Sequence, residues 1–71
     1  MNNIKIKVKD QFEVENVAVA LIRKVNDSET PLFKRIEHIE IEGEILLPNM
    51  ELLYENPKNG RIYRFIEVDS A

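Results

Sequence analysis

The 71-residue chain contains no cysteine, and this absence excludes disulfide frameworks, thiolate metal sites and cysteine nucleophiles together. A chain without cysteine also fits a reducing compartment. No apolar run approaches the roughly 20 residues that a membrane-spanning helix needs. The N-terminus alternates Ile with Lys instead of forming the apolar core of a signal peptide. We therefore expect a cytoplasmic protein that does not enter a membrane.

Recognisable site chemistry is missing as well. The sequence has no catalytic constellation, no phosphate-binding loop and no repeated metal-ligand spacing. His38, the only histidine, has Glu37 and Glu40 nearby, but adjacent residues on a strand point to opposite faces, which separates His38 from Glu37. A domain of this size buries only about 60% of the surface of its unfolded chain, which leaves no room for a deep substrate cavity. We expect no enzymatic activity, no metal and no cofactor.

What remains is an ordinary globular composition. Hydrophobic residues make up 44% of the chain and charged residues 32%, unlike the composition of disordered chains. The net charge is -3, and charges of both signs are spread along the sequence, which gives no indication of polyanion or membrane-surface binding. We expect residues 1–71 to form a single domain.

One stretch near the start carries apolar residues at helical spacing. Asp10 followed by Glu13 three residues later is typical of a capping box at a helix start. Val19 lies outside the apolar stripe. The pattern predicts a helix from about Gln11 to Val25. The stripe consists of Val14, Val17, Ala18, Leu21, Ile22 and Val25.

Two strands are predicted on either side of this helix from alternation of apolar and polar residues. Strand one covers Ile4 to Lys9, with isoleucine and valine on one face and lysine on the other. Strand two covers Ile39 to Leu47, and Gly43 within it indicates a bend or a close passage of the helix. Because Ile36 is out of phase with Ile39, we expect a bulge or an irregular entry near Glu37 and His38.

Alternation on both sides of a turn-like segment predicts a hairpin in the last part of the chain. Met50 to Glu55 and Arg61 to Val68 alternate as strands three and four. Between them, Asn56 to Gly60 carries proline early and Asn-Gly late, which is typical of a short hairpin loop.

The resulting order, β-α-β-β-β, predicts an α+β two-layer sandwich. One helix packs on one face of a four-stranded mixed or antiparallel sheet. The residues expected in the core beneath the helix are Ile4, Ile6, Val8, Ile39, Ile41, Ile45, Leu52, Ile62, Ile66 and Val68.

The opposite face of this sheet would carry an exposed apolar patch. Contiguous exposed apolar surface is typical of a site that binds a partner. We therefore predict a small protein-interaction module, either a homodimer formed through this face or a domain that binds another protein. In an alternative, the loop from Ser28 to Arg35 brings Leu32 and Phe33 over the patch as a second small core. The patch consists of Leu46, Leu53, Tyr63 and Phe65.

Two alternatives connect the protein with nucleic acid. Tyr63 and Phe65, with the cations Lys58, Arg61 and Arg64 beside them, would suit weak stacking of single-stranded bases. Separately, an acidic row could mimic DNA phosphates and inhibit a DNA-binding protein, because residues two apart on a strand are about 7 Å apart. The simpler interpretation of that row is ion pairing with the lysines of a neighbouring strand. The row is Glu40, Glu42 and Glu44, and the lysines are Lys5, Lys7 and Lys9.

Overall fold

A computed structural model of the chain describes residues 2–24 and 29–69, and its regular secondary structure is almost entirely β-strand. A single 3-10 turn, Leu32–Lys34, precedes the third strand. No α-helix occurs in the described residues, so the predicted α+β sandwich is wrong. The strands are β1 (Asn2–Lys9), β2 (Glu15–Ile22), β3 (Ile36–Ile41), β4 (Glu44–Leu46), β5 (Leu53–Glu55) and β6 (Ile62–Val68).

The six strands form one antiparallel sheet in the order β4-β3-β2-β1-β6-β5. The sheet's two outermost strands, β4 and β5, approach each other through a bridge between Pro48 and Tyr54. Beside it, the amide of Asn49 donates to the carbonyl of Leu53 over 2.9 Å. The sheet is therefore a nearly closed up-and-down barrel around one core.

The β4–β5 seam of this barrel is also held by an ion pair. Lys58 Nζ lies 2.6 Å from Glu44 Oε1, which joins the loop between β5 and β6 to the start of β4. The hydrogen bond and the charge of Glu44 raise the pKa of Lys58. The seam is thus closed by one bridge and one ion pair instead of a continuous ladder.

The segment predicted to be helical contains β2. Ala18 and Ala20 are both buried. Residues two apart lie on the same face of a strand but on opposite sides of a helix, so burial of both fits a strand and does not fit a helix. Val17, Val19 and Leu21 alternate with them on the outside of the barrel. Val17, Ala18 and Leu21 also satisfy a helical stripe, but β2 pairs along its length with β1 and over part of it with β3. Val19, which the helix left unexplained, has a regular place in this strand.

Asp10 caps a turn rather than a helix. Its Oδ1 accepts hydrogen bonds from the backbone amides of Phe12 and Val14, at 2.9 and 3.0 Å. Glu13 adopts a positive φ of 66°, and the chain reverses from β1 into β2. The short acceptor side chain that suggested a helix start therefore stabilises a hairpin turn.

The prediction of a single second strand is wrong, because the chain reverses at Glu42 and Gly43, where the sequence indicated a bend or a close passage of the helix. Their φ angles are 52° and 80°, and two successive positive φ values are what a type I′ hairpin turn requires. The strands on either side pair as a hairpin, β3 with β4. The turn changes which side chains face inward, so Leu46 is buried and Ile45, predicted to lie in the core, is 63% exposed.

Three local predictions are confirmed. Strand one is β1. The pairing of β2 with β3 shifts register as expected, because Leu21 pairs with His38 whereas Ile22 pairs with Ile36, which leaves Glu37 as the extra residue of a bulge. The loop Asn56–Gly60 joins β5 to β6 in a hairpin, and Gly60 takes the positive φ of 72° that its position requires.

The core fills the inside of the barrel, and each of the six strands contributes at least one buried apolar side chain to it. A register shift between Lys7 and Val8 in the β1–β6 pairing places Val8 opposite Phe65. Ile66 and Val68, which the alternation assigned to the core, are exposed. The buried apolar residues are Ile6, Val8, Ala18, Ala20, Ile22, Ile36, Ile39, Ile41, Leu46, Tyr54 and Tyr63.

Burial raises the pKa of Tyr54 to about 12, because the phenolate would lose its hydration in the core. An unfolded tyrosine ionises near pH 10. The neutral phenol therefore stabilises the fold fully below about pH 10, and this stabilisation is lost as the pH rises through about 12. Phenolate absorbance of the protein minus that of a Tyr54→Phe variant should show one group ionising near pH 12. Ionisation of Tyr54 near pH 10 in the folded protein would contradict its burial.

Candidate interaction surface

The residues of the predicted apolar patch do not form a surface. Tyr63 is 0% exposed and Leu46 is also buried. Phe65 packs partly buried against the core, and Leu53 is half-buried. The expected exposure of Leu46 and Tyr63 is therefore wrong. The turn before β4 directs Leu46 inward, and Tyr63 pairs with the buried Tyr54 on the inner face of the barrel.

The segment before β3 instead covers the remaining aromatic ring. The rings of Phe33 and Phe65 are stacked, with centroids 6.5 Å apart and an interplanar angle of 27°. Leu32 packs partly buried against the core. Leu32 and Phe33 thus pack as the alternative expected, but they join the single core of the barrel and form no second small core in the described residues. Ser28 lies outside the described residues.

The aromatic and cationic residues of the nucleic-acid alternative are also separated. Tyr63 is inaccessible for stacking with a base, and Phe65 already stacks with Phe33. The three cations all have carboxylate partners. These ion pairs are Lys58 with Glu44 at 2.6 Å, Arg61 with Asp10 at 3.5 Å, and Arg64 with Glu13 at 3.6 Å.

The predicted acidic row is not assembled either. Glu40 is exposed on β3, Glu42 lies in the hairpin turn, and Glu44 starts β4 opposite Ile41. The lysine and glutamate rows also fail to pair directly, because β2 lies between β1 and β3. A phosphate-like row of three glutamates on one strand is therefore excluded.

A shallow cleft of about 290 Å³ lies where the β1–β2 turn meets the β5–β6 hairpin. Gln11 joins the two turns, because its Oε1 accepts from the amide of Ile62 at 2.7 Å and its Nε2 donates to the carbonyl of Gly60 at 2.9 Å. On the rim, Lys9 lies 3.3 Å from Glu13. The charged side chains of the rim thus form ion pairs with each other. The Gln11 side-chain amide bonds the backbone of Gly60 and Ile62 as a neighbouring strand would. We interpret this cleft as a structural junction.

An apolar surface that the sequence interpretation missed lies on the outside of β2. Val17 is 52% exposed, and Val19 and Leu21 are partly exposed beside it. Ile45 is not part of this area, because Val19 pairs with Glu40 and Glu40 pairs with Ile45, so the charged Glu40 lies between them. We call Val17, Val19 and Leu21 the outer apolar surface. The run of six apolar residues from 17 to 22 is the signal that could have revealed it, because a strand with two apolar faces gives such a run.

The charged residues that border this surface differ in their pairing. Lys7 lies 3.9 Å from Glu67, and Lys9 is paired with Glu13. Lys5, the third lysine of β1, is exposed and has no ion-pair partner within residues 2–24 and 29–69, and the same is true of Glu40 on β3. The outer apolar surface therefore has an unpaired cation on one side and an unpaired anion on the other.

Two further kinds of site are absent from the part of the chain that the structure describes. No three histidine, aspartate or glutamate side chains in it come together as a metal-ligand group. No helix within it is long and apolar enough to cross a membrane.

Comparisons of the chain with protein-family models, with curated proteins and with solved structures found no match.

Proposed function

We propose that this protein is a small non-enzymatic interaction module that self-associates through the outer apolar surface. The observation that carries the proposal is the row of Val17, Val19 and Leu21 on the outside of a strand whose inner face already supplies the core. Contiguous exposed apolar area is typical of a surface that binds a partner. The cytoplasmic location expected from the sequence is part of the same proposal.

The interface differs from the one expected from alternation alone. The predicted face depended on Tyr63 and Leu46, which are buried. We propose the outer apolar surface as the interface instead, because β2 directs Val17, Val19 and Leu21 outward and the smaller Ala18 and Ala20 inward. Two copies that pack these surfaces together would remove them from water, at about 25 cal/mol for each Å² of apolar area buried. Self-association is a common way for so short a chain to enlarge its core.

Val19→Lys tests this function. An ammonium group at the centre of the interface would have to be desolvated on association, whereas in the isolated protein it can pair with Glu40 on the neighbouring strand. We expect the unchanged protein to sediment as a dimer and the variant as a monomer. Sedimentation velocity at about 100 μM, well above a micromolar Kd, measures this.

Val14→Lys is the matched control. Val14 is also an exposed valine, but it lies in the β1–β2 turn outside the proposed interface. This variant should remain a dimer, and both variants should keep the circular dichroism of the unchanged protein. If the unchanged protein is a monomer under the same conditions, the proposed function is wrong.

A further inference from the structure

We infer that the two copies pack with their β2 strands facing each other across a two-fold axis close to parallel with β2, so that Lys5 of each copy meets Glu40 of the other. This inference rests on the proposed function, because it specifies the geometry of the same interface. It is carried by the pairing register and by the two unpaired charges beside the outer apolar surface.

The register places three residues in one row across the sheet. Val19 pairs with Lys5 on one side and with Glu40 on the other. Neighbouring strands are about 4.8 Å apart, so the two charged residues lie about 10 Å from each other with Val19 between them. No ion pair joins them within one copy, and both are exposed. Each is therefore available to a second molecule.

A two-fold axis along β2 makes this row complementary to itself. Rotation about such an axis exchanges the two sides of the sheet, so β1 of one copy faces β3 of the other, while Val19 faces Val19. Lys5 then lies opposite Glu40 at the same level, and the symmetry repeats the contact at the other side. The same arrangement places the apolar centre of one copy on that of the other.

The other face-to-face arrangement brings like charges together. A two-fold axis perpendicular to the strands leaves β1 opposite β1 and β3 opposite β3, so lysines would meet lysines and glutamates would meet glutamates. Like-charge contacts across an interface disfavour an arrangement and so select against it. The distribution of charge thus distinguishes between two packings that bury the same apolar residues.

Charge reversal tests the geometry. Lys5→Glu and Glu40→Lys should each raise the dimer Kd by about 10-fold or more, because each places two like-charged pairs across the interface. The double variant should return to within about 3-fold of the unchanged protein, since both pairs are restored in the opposite sense. Sedimentation equilibrium measures the Kd values, and the effects of the single variants should shrink as salt is added.

Mixing the single variants separates contacts between copies from effects within one copy. In a mixed dimer of Lys5→Glu with Glu40→Lys, both contacts join opposite charges, so the mixed dimer should form in preference to either variant alone. Lys34→Glu is the control for net charge. Lys34 is an exposed lysine of the 3-10 turn, so this variant changes the net charge by the same amount as Lys5→Glu and should leave the dimer Kd unchanged. If the reversals have no effect while Val19→Lys still abolishes the dimer, the axis is wrong and the proposed function stands. A monomeric unchanged protein would overturn both.

Discussion

Replacement of Ile39 by alanine is expected to lower the free energy of unfolding by about 2–5 kcal/mol. Ile39 is 0% exposed and pairs with Ala20 on one side and Leu46 on the other. Its truncation leaves a cavity in the middle of the sheet that small neighbours such as Ala20 cannot fill. Since domains of this kind are stable by only about 5–15 kcal/mol, a large share of the stability is lost. Urea denaturation followed by circular dichroism measures the change.

Ile45→Ala is the control, because alternation places Ile39 and Ile45 on the same face whereas the structure separates them. Ile45 is 63% exposed, so its truncation should change the free energy of unfolding of the monomer by no more than about 0.5 kcal/mol. Both changes are best compared in the Val19→Lys variant, where association does not contribute. Equal losses at the two positions would contradict the hairpin turn at Glu42 and Gly43.

Asp10→Ala is expected to lower the free energy of unfolding by about 1.5–3 kcal/mol. The Asp10 carboxylate is buried, and one of its oxygens accepts two backbone amides of the β1–β2 turn. Its other oxygen lies 3.5 Å from Arg61 Nη1. Alanine leaves the two amides without their acceptor and removes the charge that faces Arg61. Urea denaturation of the monomeric Val19→Lys background measures the loss.

Asp10→Asn separates the two contributions. The amide oxygen of asparagine can accept the same two backbone amides, but the side chain carries no charge to face Arg61. If the turn depends on the acceptor, Asn should lose clearly less stability than Ala. Equal losses for the two variants would assign the effect to the ion pair and contradict the role of Asp10 in the turn.

The sequence predicts the elements whose signals are local. The alternation of Ile4 to Lys9 marks β1, and the phase change after Ile36 marks the bulge. The Asn-Gly pair before Arg61 marks the β5–β6 hairpin because Gly60 needs a positive φ. In each case the backbone conformation follows from a few neighbouring residues.

The strand conformation of Glu15–Ile22 could not be predicted from local signals. Its apolar residues fit a helical stripe, and Asp10 with Glu13 imitates a capping box. What decides its conformation is hydrogen bonding to β1 and β3, and neither the neighbours nor the register can be read from residues 10–27 themselves. Tertiary pairing overrides local preference here. The fold class depended on this one segment, and the fold class was therefore wrong.

The candidate surface was missed for the same reason. Lys5 and Glu40 could be identified as exposed charges from alternation, but their separation by Val19 depends on β2 lying between β1 and β3. Once β2 was assigned to a helix, Lys5 and Glu40 became partners within one sheet and Val17 became part of the core. The exposure of Ile45 depends on the turn at Glu42 and Gly43, where the glycine indicated a bend but the alternation continued across it.

The pairing of β1 with β6 has a consequence for how the protein reaches its folded state. Ile6 pairs with Val68, so this ladder closes a loop of about 60 residues, whereas β1–β2, β2–β3, β3–β4 and β5–β6 join strands that follow each other in sequence. The entropy lost in closing this long loop must be overcome before the β1–β6 contacts can form, so we expect this ladder to form after the four local ones. During synthesis, the barrel cannot close until β6 has been made.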